Sequence, residues 1–101
     1  MTYAPTHVIA DAITRANYRP QPNLDPRACV VIALTRLGAE HVGGSFTARD
    51  ITQRAVSLIS PKPARVGMYG RIMQALRTMA TEPDGPVAKV TTAPPTYRLA
   101  P

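Results

Sequence analysis

Residues 64–80 place Val66, Gly67, Gly70, Arg71, Gln74 and Arg77 on one side of a helix that turns about 100° per residue. Met68, Ile72, Ala75, Leu76 and Met79 fall on the other side, with Tyr69 beside them. Guanidinium forks and a carboxamide, with no carboxylate among them, are hydrogen-bonding groups suited to base edges and phosphates, so this face can read DNA. Other reactive residue types are less organised. His7 and His41 share no ligand spacing with Cys29, so no metal site is expected. The six acidic residues are scattered singly and give no general acid and base pair. Ser45, Ser57 and Ser60 sit in no nucleophile motif. Gly43 with Gly44 reads as a loop pair, and Gly67 with Gly70 lacks the lysine and serine of a phosphate loop. The expectation is a protein that is not an enzyme, with no catalytic residues and no cofactor.

The charge supports a polyanionic partner. The net charge is +6, and residues 49–101 carry +5 of it while residues 1–48 carry +1. A chain of 101 residues buries at most roughly two-thirds of its unfolded surface, which leaves room for one modest core and no large catalytic cleft. Cys29 is the only cysteine, so no disulfide forms within the chain. Its place in the apolar run 28–34 marks it as a small buried hydrophobe. A reducing, cytoplasmic location with nucleoid association is expected, because the start of the chain lacks a signal-peptide pattern and that seven-residue run is the longest apolar stretch.

The elements that must hold the polar face follow from start and stop signals. Phe46, Thr47, Asp50 and Ile51 combine an N-cap, an imperfect capping box and the spacing of a hydrophobic staple. They open a helix over 48–59, in which Ile51, Ala55, Leu58 and Ile59 share a face, while Arg49, Thr52, Gln53 and Arg54 lie mainly elsewhere. Ser60, Pro61, Lys62 and Pro63 stop it, and the next helix is predicted from 64. Glu82, Pro83, Asp84, Gly85 and Pro86 form a second break. Segments 87–92 and 96–100 then read as strands joined by a turn at Ala93, Pro94 and Pro95, with Tyr97 and Leu99 inward and Arg98 outward. Upstream, Asp25 caps and Pro26 opens a helix over 26–37, apolar around much of its circumference, with Arg27 and Arg36 at its exposed edge and Gly38 as a left-handed C-cap.

Residues 1–24 are read as an N-terminal helix from Thr6 to Tyr18, with the stripe Val8, Ile9, Ala12, Ile13 and Ala16, followed by a proline-containing linker. Three roles stay open for that stripe: packing on its own domain, pairing with its copy in a homodimer, or binding another protein. The expected class is α+β, mainly α with a small β-hairpin. A three-helix core is closed by the ribbon and preceded by the extra N-terminal helix.

In this order the segments resemble the winged helix-turn-helix superfamily of DNA-binding transcription regulators over residues 25–100. The residues that carry the likeness are Phe46 to Ile51, the spacing Tyr69, Arg71, Met73 and Leu76, then Gly85, and Tyr97 to Leu99. The resemblance implies a winged helix-turn-helix domain at 25–101 that binds double-stranded DNA and regulates transcription, with a recognition helix at 64–80 and a wing at 87–100. It implies guanine contacts from Arg65 and Arg71, an adenine contact from Gln74, a thymine methyl contact from Val66, and close backbone approach at Gly67 and Gly70. Arg49, Arg54, Lys62, Arg77, Lys89 and Arg98 are the implied phosphate contacts. The uncharged tip of the wing departs from the pattern of wings that enter the minor groove. It favours an alternative, a winged-helix protein–protein interaction module within a transcription, replication or phage complex.

Overall fold

The computed structural model describes residues 25–100. The expected N-terminal helix, its linker and any homodimer contact made through it lie outside the described residues, as does His7. The described chain is an α+β unit of three helices and a small three-stranded antiparallel sheet.

Helix α1, Pro26–Glu40, begins where Pro26 supplies a preset φ at the first turn. Asp25 holds the extended N-cap backbone, but its carboxylate makes no capping hydrogen bond. Cys29, Val30, Val31, Ile32, Ala33, Leu34 and Leu37 are all buried, so α1 is the central element. The helix runs past its expected end at residue 37 and through Gly38. The residue with positive φ is Gly43, in the following loop. Glu40, in this added turn, lies 2.8 Å from Arg54, an exposed pair of the kind that contributes about 1 kcal/mol or less. The exposed edge predicted at Arg27 and Arg36 is half-buried. Arg27 lies 2.9 Å from Glu82, which follows the third helix, and the two side chains retain only 22% and 17% of their exposure.

Phe46–Thr47 forms a short strand, β1, and Thr47 then caps helix α2, Ala48–Val56. The Asp50 amide donates to the Thr47 hydroxyl at 3.2 Å, as the capping signal predicts. The helix ends three residues sooner than expected. The Ser57 hydroxyl donates to the Arg54 carbonyl at 2.6 Å, and the amides of Leu58 and Ile59 reach carbonyls only three residues back, so the chain tightens out of the α-helix while both side chains remain buried. Thr52, expected away from the core, is fully buried, and its hydroxyl donates to the Met73 sulfur at 3.8 Å.

A 3-10 turn at Lys62–Arg65 leads into a turn at Val66 and Gly67, whose φ of 78° is left-handed. Helix α3, Met68–Thr81, starts only there, four residues after the expected start at 64. The cause is local: a left-handed residue cannot belong to a right-handed helix, and glycine adopts that conformation without penalty. Met68, Ile72, Leu76 and Met79 face the core, as their spacing predicts. After α3 the chain turns sharply at Gly85, where a Cβ would lie 2.7 Å from the Met79 carbonyl oxygen, so no larger residue fits without a shift.

Strands β2, Val87–Thr92, and β3, Pro95–Leu99, form the ribbon, with an irregularity at Val90. The expected two-stranded ribbon gains a third member, because Phe46 pairs with Tyr97 and Thr47 with Thr96, giving the order β1-β3-β2. Tyr97 is buried, Leu99 half-buried and Arg98 exposed. Helix α1 packs on α2, α3 and β3, and α3 packs on β2, so the sheet closes one side of the three-helix core.

Candidate nucleic-acid interface

The outward side of α3 is built by the same periodicity that fills the core. Gly70, Arg71, Gln74, Arg77, Thr78 and Thr81 are exposed along it, and the helix contains no acidic residue. Arg71, Gln74 and Arg77 make no ion pair or side-chain hydrogen bond among the described residues. The nearest acid after the helix, Glu82, is turned to Arg27 on α1, which withdraws its charge from this face. At Gly70 a Cβ would meet nothing within 4 Å. Among the described residues nothing requires glycine there, although glycine costs about 1 kcal/mol within a helix. The open space fits a partner that approaches the backbone closely.

The residues expected in the first turn of this helix are distributed differently. Arg65, Val66 and Gly67 precede α3. The Arg65 Nε–H donates to the Ile59 carbonyl at 2.7 Å, and a terminal nitrogen lies 3.4 Å from the Ser57 carbonyl. Its guanidinium therefore ties the end of α2 to the turn before α3. Val66, by contrast, is 85% exposed. Sequence spacing gave no warning of the Arg65 bonds, because they depend on where the chain returns after a turn.

Among the six expected phosphate contacts, Arg49, Lys62, Arg77, Lys89 and Arg98 are exposed, whereas Arg54 is engaged by Glu40. Strand register separates two of them. Lys89 lies opposite Tyr97 and Ala88 opposite Arg98, so Lys89 shares the core-facing side of the sheet and Arg98 points the other way. Lys89, Arg77, Ala80, Thr81, Pro95 and Tyr97 line a cleft of about 300 Å³ between α3 and the sheet. Two cations thus stand at a concavity beside the exposed helix, a favourable place for an anionic group. A second groove, about 480 Å³, lies between the end of α1 and α2 and is lined by Leu37, His41, Phe46, Asp50, Gln53, Arg54 and Ser57.

Burial pushes the Cys29 thiol up to about 11, and the nearby Asp25 carboxylate adds to the effect, so this cysteine is a packed apolar group at neutral pH. Among the described residues, no three histidine, cysteine, aspartate or glutamate side chains converge as metal ligands, and no helix is long and apolar enough to cross a membrane. Comparison with protein-family models, curated proteins and solved structures finds no match to this chain.

Proposed function

We propose that this chain is a winged helix-turn-helix protein that binds double-stranded DNA and regulates transcription, with α3 as the recognition helix and β2–β3 as the wing. The reading is carried by the exposed face of α3, where Arg71, Gln74 and Arg77 stand without an ion pair among the described residues and without an acid on the helix. The element order, with three helices and a sheet ordered β1-β3-β2, supports it.

In this reading α3 enters the major groove. Arg71 donates its two-pronged fork to guanine O6 and N7, and Gln74 makes the complementary pair with adenine N6 and N7. Each such pair discriminates against the wrong base by about 1–3 kcal/mol. Lys62, Arg77 and Lys89 bind phosphates and fix the register, while Arg65 holds the turn that aims the helix. A second reading, a protein-interaction module, draws on the wing: its tip is uncharged and Val90 is 45% exposed.

Fluorescence anisotropy with a mixed-sequence duplex over a range of salt concentrations tests the DNA reading. With three cations on phosphates, log K falls by about 3 per tenfold rise in salt. Arg71→Ala combined with Gln74→Ala abolishes preference for a selected site and weakens binding there at least tenfold. Absence of salt-dependent binding overturns the reading and favours the protein-interaction module.

A further inference from the structure

A buried tyrosine ordinarily pairs its hydroxyl, because taking that group out of water unpaired is unfavourable. Tyr97 is only 6% exposed, yet its hydroxyl makes no hydrogen bond among the described residues. That oxygen is not sealed off, and Tyr97 lines the cleft of about 300 Å³ between α3 and the sheet. The hydroxyl therefore opens into the cleft. Lys89 stands directly opposite Tyr97 in the β2–β3 register, which sets both side chains on one face of the sheet with Cβ atoms about 5 Å apart. Arg77 lines the cleft from α3, and neither cation has an ion pair among the described residues. Thr81 commits its proton to the Thr78 carbonyl at 2.8 Å, so the donors on offer are the guanidinium, the ammonium and the phenol. Among the described residues no acid lines the cleft. The end of α3 at Thr81 contributes about half a negative charge, which two full positive charges outweigh.

We infer that this cleft is a binding site for a small free anion with a terminal phosphoryl group, held by Arg77, Lys89 and the Tyr97 hydroxyl, and that its occupation weakens DNA binding. The site stands on the geometry alone, and only its effect on DNA rests on the DNA-binding reading. A cleft of about 300 Å³ is at the lower limit of small-ligand sites, with Ala80 and Pro95 as apolar wall beside the polar groups. A terminal phosphoryl group offers three oxygens to three donor groups. A phosphate within a duplex offers two and carries a sugar on each side, which cannot follow it to the hydroxyl of a buried side chain. The free anion neutralises Arg77 and Lys89, the two cations beside the cleft that otherwise take DNA phosphates, so ligand and duplex compete.

The test is a titration of the full chain with inorganic phosphate, replacing chloride at constant ionic strength and followed by amide NMR. Saturable shifts are expected at Arg77, Lys89 and Tyr97. Tyr97→Phe, which removes only the hydroxyl, weakens phosphate binding about tenfold or more, the effect of one hydrogen bond to a charged acceptor. Its Tm stays unchanged, because that hydroxyl holds no partner within the described fold. Shifts that are absent, that do not saturate or that persist equally in Tyr97→Phe overturn the inference, since the attraction is then diffuse charge. In the anisotropy assay, saturating phosphate lowers the salt slope of duplex binding from about 3 to about 1, because two of three cations are occupied. An unchanged slope overturns the competition. Tyr97→Phe binds the duplex like the native chain when phosphate is absent. If it instead loses duplex and phosphate affinity alike, the cleft takes a backbone phosphate, and the free-anion site is overturned. If no duplex is bound with salt dependence, the DNA reading fails and the competition with it, while the NMR titration still decides the site.

Discussion

Removing the Arg65 side chain separates a structural role from a reading role. Its Nε–H donates to the carbonyl of the fully buried Ile59 at 2.7 Å, across the turn that joins α2 to α3. A hydrogen bond to a charged donor contributes about 1.5–3 kcal/mol, and losing it also leaves a carbonyl with poor access to water. Arg65 is half-exposed, which moves the figure toward the low end, and the 3.4 Å approach to Ser57 adds little. Arg65→Ala should therefore cost about 1–2 kcal/mol. For a folded unit of this size each kcal/mol lowers Tm by about 4–8 °C, so a fall of roughly 5–12 °C is expected by circular dichroism. Urea unfolding should give the same loss with an unchanged slope. Arg65→Lys should recover part of it, since an ammonium can reach a single carbonyl but lacks the planar fork. Measured in the cold, where the variant is folded, DNA affinity should change less than threefold. A variant that melts like the native protein yet loses DNA binding would refute this argument and return Arg65 to the base-reading set.

Two further expectations concern the backbone and the thiol. Gly67 has a φ of 78° and open space where a Cβ would stand, so Gly67→Ala should cost about 1–2 kcal/mol through backbone conformation alone. Gly38 lies within α1 with equal space but without a positive φ, so Gly38→Ala should stabilise by about 0.5–1 kcal/mol in the same urea titration. Cys29 keeps its proton in the folded state up to about pH 11, whereas in the unfolded chain it ionises from about pH 9. The unfolded state therefore holds fewer protons between those values. Stability attributable to this group should decline as pH rises through that window, by no more than about 1.4 kcal/mol per pH unit. Cys29→Ser should flatten this decline, and alkylation of the native thiol at pH 8 should proceed no faster than opening of the fold.

The parts of this fold legible in the sequence are those set by neighbours within a turn or two. Ile72, Leu76 and Met79 face the core and Arg71, Gln74 and Arg77 face solvent, because three- and four-residue spacing on a helix leaves no other arrangement. The Thr47 cap is equally local. What was not legible depends on chain segments that meet only after folding. A strand of two residues, Phe46 and Thr47, carries no periodicity, and its pairing with β3 is a tertiary event. The burial of Thr52 and the withdrawal of Arg54 and Glu82 from the surface charge each depend on a partner in another element.

The same distinction explains why the candidate site is both visible and altered. Its charge is a local property of α3, so the face could be read from spacing. Its leading edge is not, because Arg65 is drawn back to Ile59 while Gly67 turns the chain, and these two features together leave Val66 in solvent. A helix starting at 64 would have set Val66 on the polar face and Arg65 about 100° away from it, both in its first turn. The turn instead separates them, with the guanidinium bonded to the Ile59 carbonyl and the valine left in solvent. Stability should therefore divide sharply across adjacent residues: Arg65→Ala lowers Tm, whereas Val66→Ala, which trims a side chain already in solvent, changes stability by no more than about 0.5 kcal/mol.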